Sequence, residues 1–236
     1  MSQAVRPQKI SGRRRPRKSR RGPASGWVPN QHGAWAFVIT PWLLGLFWAL
    51  ASGSFAVEHV VLFAFWLVGY FAFFALSMWL KSRFKPRYRR AVVTYGAGSA
   101  ALGAVLLVLR PDWWSWALVF APVCTYALWL AYQRRDRDLS SGLATVVAAC
   151  LLPLVMGSQG VLRLGGMPQL AVIALVCFGY FFGTVLYVKT VLRERGRISY
   201  VVYSVGWHVL CAAIALFIPQ AGLAWGISAF FAAMAT

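Results

Sequence analysis

The chain has 236 residues, of which 60% are hydrophobic and 12% charged. Soluble domains run near ~45–50% and ~25%, so a water-soluble domain of this length could not hide its apolar surface. The 24 Lys and Arg against 5 Asp and Glu give a formal net charge of +19, which raises the question of nucleic acid. Outside an N-terminal tail those charges stand between long apolar runs. That is the pattern of topology-setting charge at an anionic membrane, so the expected partner is a lipid bilayer and not nucleic acid.

In chain order, residues 1–28 read as a disordered basic cytoplasmic tail whose partners are anionic lipid headgroups, and residues 29–236 as one transmembrane helical domain. The first 22 residues hold nine Lys or Arg and no acid. No cleaved signal peptide is expected, because the following apolar stretch is too long for an h-region and lacks an A-x-A-like site. At the membrane entry Asn30 is a candidate helix cap. Gln31 and His32 fall on the rim there, and Gly33 permits close approach.

A spanning helix needs about 20 mostly apolar residues. That ruler places spans at 34–51, 59–80, 91–109, 116–132, 143–160, 169–191, 201–218 and 222–233. The last is short and fits a tilted or re-entrant helix. Pro41, Pro122 and Pro153 lie inside spans and are expected to mark kinks. With the tail inside, segments 1–33, 81–90, 133–142 and 189–199 hold 22 bases, whereas the outer loops hold Arg110 and Arg163. The expected fold is therefore an all-α polytopic bundle of about eight spans in the plasma membrane, both termini cytoplasmic. Trp113 and Trp114 outside, and Trp35 inside, suit interfacial belts. The four cysteines lie in four different apolar runs without metal spacing, and are expected to be buried apolar thiols.

All five acids fall outside the membrane midplane: Glu58 and Asp112 outside, Asp136, Asp138 and Glu194 inside beside arginines. This disfavours an ion-coupled transporter, leaving His208 as the deep group that titrates near neutral pH. Asp136 and Asp138 suit either pairing with the nearby arginines or a Mg²⁺–diphosphate site, pairing being the commoner case. In the sixth span Tyr180, Thr184, Tyr187, Thr190 and Glu194 form a polar stripe, with Lys189 and Arg193 an i,i+4 pair beside it. In the seventh, Tyr200, Tyr203, Ser204, Trp207, His208 and Cys211 form another. Both stripes are expected to point into the bundle, as packing glue or as a ligand-lining wall.

These residues define a basic, cytoplasm-facing cavity for an amphipathic anionic ligand such as a prenyl or lipid phosphate. Its candidates are Gln31, His32, Lys85, Arg87, Arg134, Asp136, Lys189, Arg193, Glu194 and His208. No catalytic residue is assigned and no metal site or cofactor is expected.

PNQHGAWA before the first span, KPRYR after the second, and YVKTVLRERG followed by Y-x-x-YS-x-x-WH together resemble the bacterial YwiC-like membrane proteins. The resemblance runs from about Pro29 through nearly the whole chain. It implies a multi-pass membrane protein and carries over no catalytic residues. A looser analogy is to the UbiA-type prenyltransferases, helical bundles that bind a prenyl diphosphate through Mg²⁺. This chain has no N-D-x-x-D loop after its second span and no second D-x-x-x-D, and every charge from Lys81 to Arg90 is basic. A transferase of that type, with Mg²⁺, and a lipid or metabolite transporter stand as the alternatives.

Overall fold

The computed structural model describes residues 26–29, 33–163, 168–193, 196–218 and 221–235. They form helices α1 (Ala34–Ala51), α2 (Val57–Lys81), α3 (Arg89–Leu109), α4 (Ala117–Tyr132), α5 (Leu139–Cys150), α6 (Leu152–Gly157), α7 (Pro168–Val188), α8 (Ile198–Ala215) and α9 (Ala221–Met234), with no strand among the described residues. An all-helical bundle follows from the apolar runs, because a lipid-facing backbone must satisfy its hydrogen bonds within its own segment.

Seven stretches are long and apolar enough to cross a membrane, α5 and α6 together forming one of them, Leu139–Gly157. The chain breaks at Leu151 between those two helices. Pro153 explains the break, since its nitrogen has no proton for the Ala149 carbonyl. Pro41 and Pro122, by contrast, sit within continuous helices. The eighth expected span is α9, with 14 residues. At 1.5 Å per residue it reaches about 21 Å, short of the ~30 Å hydrocarbon core.

The helices pack in the order α3–α2–α4–α5–α7–α8–α9, and α1 lies centrally against α2, α5, α6 and α7. Small residues set the close approaches. Gly98 meets Val68 and Gly103 meets Phe65 where α3 lies on α2, while Gly142 meets Val185 where α5 lies on α7. One apolar cluster joins Leu62, Leu106, Trp113, Trp116, Leu152, Val155 and Met156. A second joins Val146, Cys150, Cys177 and Phe181, so Cys150 and Cys177 serve as buried apolar side chains. All four thiols are free.

The ends of the helices share a device. After α1, Gly53 takes a left-handed φ of 67°, Ser54 N–H donates to Ala49 O at 2.9 Å and Gly53 N–H to Leu50 O at 3.2 Å. This is the Schellman arrangement that satisfies the last carbonyls. The same paired bonds close α2 through Arg83 and Phe84, and α4 through Arg134 and Arg135. There the left-handed position is held by Arg83 (φ 58°) and Arg134 (φ 61°), with Phe84 following at 63°.

Candidate functional site

One end of the bundle gathers two basic connections, Lys81–Arg90 and the turn after α4. Lys81 Nζ donates to Asp136 Oδ2 at 2.7 Å, tying the two together. The Arg83 guanidinium lies 4.2 Å from the centre of the Tyr132 ring, and Phe84 packs on Trp79 and Tyr132. Asp138 is held by Arg135 Nε at 2.7 Å. The pairing expected of the two aspartates is thus present, but Asp136 takes its partner from α2 and not from its own arginine-rich turn. Its Oδ1 is buried without a partner among the described residues.

Lys85, Arg87 and Arg134 are exposed at this end. Arg87 donates to Tyr88 Oη at 2.6 Å, and Tyr88 is buried beneath Gly26. Tyr95 Oη donates to Trp27 O at 2.9 Å, so the chain arriving from the tail docks on the start of α3. Gln31, His32 and Glu194 lie outside the described residues, as does Asn30, and so does the side chain of Arg193.

Lys189 and His208 belong to a separate part of the bundle, the group α7, α8 and α9. Lys189 opens a π-helical turn, Lys189–Arg193, and is buried with its Nζ 5.8 Å from the Tyr200 ring centre. His208 is 1% exposed. Its Nδ1–H donates to Ser204 O at 2.7 Å, and Nε2 lies over Gly183 without a partner among the described residues. The expected inward stripes are only partly inward. Ser204 and His208 are buried, but Tyr180, Tyr187 and Tyr203 are exposed. Thr184 and Thr190 donate to Tyr180 O and Tyr187 O of their own helix, which removes the cost of facing lipid.

The opposite end carries the densest polar network, and it is centred on Arg110. Arg110 Nη2 donates to Asp112 Oδ2 at 2.9 Å and to Ser158 O at 2.8 Å, Nε donates to Asp112 Oδ1 at 3.3 Å, and Nη1 reaches Glu58 Oε1 at 3.5 Å. Its guanidinium carbon lies 4.6 Å from the Trp113 ring centre. Trp113 Nε1–H donates to Ser158 O at 3.0 Å and Trp116 Nε1–H to Ser158 Oγ at 2.9 Å. Trp113 is thus turned into the protein, unlike its neighbour. It is 5% exposed, whereas Trp114 is 56% exposed. Burial suits Trp113 because a carbonyl accepts its N–H.

Beneath this network His59 is fully buried. Ala56 N–H donates to its Nδ1 at 3.1 Å, and Nε2–H donates to Met156 O at 3.0 Å. Gly160, at φ +96°, lets the loop pass so close that a Cβ would lie 2.6 Å from both Asp112 O and Ser115 Oγ. The network escaped the sequence reading. The available signal was that Arg110 and Arg163, the two bases outside the basic connections, fall in the same set of loops as Glu58 and Asp112.

Two concavities accompany these features. An open basin of about 480 Å³ is lined by Arg110, Asp112, Gln159 and Arg163. A lateral apolar groove of about 400 Å³ runs between α4 and α5, lined by residues that include Pro122, Tyr126, Leu143 and Val147. Neither is lined by Lys85, Arg87, Arg134, Asp136, Lys189 or His208.

The profile of the YwiC-like protein family matches residues 28–157. The chain belongs to the YwiC-like family. It is 28% identical over 204 residues to a Bacillus subtilis (strain 168) protein named "Uncharacterized protein YwiC", covering 86% of this chain and 81% of that one. It is 27% identical over 193 residues to an "Uncharacterized protein" of Haemophilus influenzae, covering 79% of this chain and 76% of that one. No solved structure matches. The YwiC-like region contains the Lys81–Asp136 pair, both left-handed arginines and Arg110. Similarity to the two relatives spans most of the chain, in keeping with one multi-pass membrane protein.

Proposed function

We propose that the end of the bundle carrying Lys81–Arg90 and the turn after α4 faces the cytoplasm and cradles the anionic headgroup of an amphipathic ligand, such as a lipid or prenyl phosphate. The observation that carries this reading is the pair of left-handed arginines. Glycine suits the position that Arg83 and Arg134 occupy, and an L side chain costs about 1–2 kcal/mol there. Strain retained beside an ion pair points to a use for the guanidinium groups. Residues 81–90 and 134–138 together hold nine bases against two acids, so Lys81–Asp136 and Arg135–Asp138 leave most of the positive charge uncompensated.

In this reading Lys85, Arg87 and Arg134 meet the headgroup, and Lys189, buried in the group of α7, α8 and α9, stays apart from it. Gln31 and His32, before α1, and Arg193 and Glu194, between α7 and α8, belong by sequence to the other basic connections. Asp136 acts as the counter-ion of Lys81, which braces the cradle, and not as a metal ligand. His208 stands outside the headgroup contact, in the seam between α7 and α8. The 22 bases in alternate connections support the orientation.

Arg134→Gly tests the reading because strain and function predict opposite changes. Removing the left-handed side chain should leave the detergent-solubilised protein as stable as the parent, or up to about 1 kcal/mol more stable. Affinity for phosphatidylglycerol or a long-chain prenyl phosphate, read by native mass spectrometry against phosphatidylcholine, should fall about fivefold or more, in keeping with loss of one charge-assisted contact. Unchanged affinity for both anionic ligands would remove the cradle from the account.

A further inference from the structure

At the other end, the basin lined by Arg110, Asp112, Gln159 and Arg163 is a second polar site, independent of the basic cradle. Its lining sets Arg110 and Arg163 against Asp112, and Glu58 pairs with Arg110 from the side. Arg110 is already engaged by Asp112, Glu58 and the Ser158 carbonyl. Arg163 is exposed, and its side chain makes no hydrogen bond or ion pair with the described residues. The basin therefore offers a guanidinium without a hydrogen bond among the described residues, its charge close enough to act on Asp112. Beside it, Asp112 accepts from Arg110 on both oxygens and keeps lone pairs to spare.

A ligand that matches this pattern carries a negative and a positive group close together. An anion alone would meet Arg163 and then the carboxylates, whereas a zwitterion satisfies both. The cationic group must donate N–H bonds to Asp112. A quaternary ammonium cannot do so, and the Trp113 face that could attract one is already covered by the Arg110 guanidinium at 4.6 Å. Exposed apolar side chains neighbour its lining residues in the chain. Leu162, next to Arg163, is 78% exposed, and Trp114, two residues from Asp112, is 56% exposed. Side chains of this kind suit the boundary between headgroups and acyl chains.

We infer that this basin binds the phosphoethanolamine headgroup of a membrane lipid, phosphate on Arg163 and Gln159, ammonium on Asp112. The exposed Leu162 and Trp114, beside its lining residues in the chain, favour a lipid over a free headgroup.

The test is the melting temperature of the solubilised protein titrated with phosphatidylethanolamine, phosphatidylcholine, phosphatidylglycerol or soluble phosphoethanolamine, in the parent, Arg163→Ala and Arg134→Gly. Phosphatidylethanolamine should stabilise the parent more than phosphatidylcholine. Arg163→Ala should melt like the parent without lipid but need about tenfold more phosphatidylethanolamine for the same shift. It should respond normally to phosphatidylglycerol, which the cradle reading assigns to the other end. Arg134→Gly should show the reverse. Equal stabilisation by phosphatidylcholine, or a full phosphatidylethanolamine response in Arg163→Ala, would overturn the assignment. Stabilisation by soluble phosphoethanolamine but not by the lipid would overturn the lipid as its source.

Discussion

Arg110→Ala is expected to lower the stability of the solubilised protein by about 3 kcal/mol, at the lower end of the range for breaking a buried charge pair. The side chain is 23% exposed, which places it below a fully buried ion. Its removal strips donors from Asp112 and Ser158 and uncovers the Trp113 ring. The Ser158 carbonyl would keep its bond from Trp113, so the main loss is at the Asp112 and Glu58 carboxylates. For a chain of this size the fall in melting temperature should be roughly 6–12 °C. Arg110→Lys should lose less, because it keeps the charge but not the fork. A parent-like melting curve for Arg110→Ala would mean that the network contributes nothing to holding α3, α4 and α6 together.

Gly183→Val should have a comparable effect through packing. A Cβ at Gly183 would lie 2.5 Å from His208 Nε2, 2.9 Å from His208 Cε1 and 3.2 Å from Trp207 Cδ1. Gly179, one turn earlier, faces Cys211 and Phe231 in the same way. This G-x-x-x-G surface of α7 receives α8 and α9. His208 cannot swing away freely, since it donates to Ser204 O and Trp207 donates to Gly179 O at 2.8 Å. Separating the helices should cost about 3 kcal/mol, the upper part of the overpacking range. A double-mutant cycle isolates the contact: Gly183→Ala should be destabilising alone and recover part of the loss when combined with His208→Ala. Additive losses would show that the two residues do not share a seam.

The spans were legible because each is an apolar run near the length of a bilayer, and the first matches Ala34–Ala51 at both ends. The break at Leu151 falls where Pro153 predicts a kink, whereas Pro41 and Pro122 sit within continuous helices. Proline tolerance depends on whether neighbouring groups re-satisfy the carbonyl, and three prolines in apolar runs look alike in sequence. The left-handed arginines were likewise hidden, since glycine is the residue that announces that position and arginine does not. The Arg110 network joins residues 42 to 52 positions apart, and His59 to Met156 spans 97. No local pattern encodes such pairs. The polar stripes misled for a related reason: a threonine that bonds its own helix has no need of the bundle interior.

The central claim is that the end bearing Lys81–Arg90 and the turn after α4 faces the cytoplasm, and cysteine accessibility tests it most directly. The native cysteines are replaced, and single cysteines are placed at Ser54, Gln159 and Lys85 and at the C-terminus. A membrane-impermeant maleimide should label Ser54→Cys and Gln159→Cys in intact cells. Lys85→Cys should label only after permeabilisation, and the side from which the C-terminal site labels shows whether the 14-residue α9 crosses. Labelling of Lys85→Cys from outside intact cells would contradict the account.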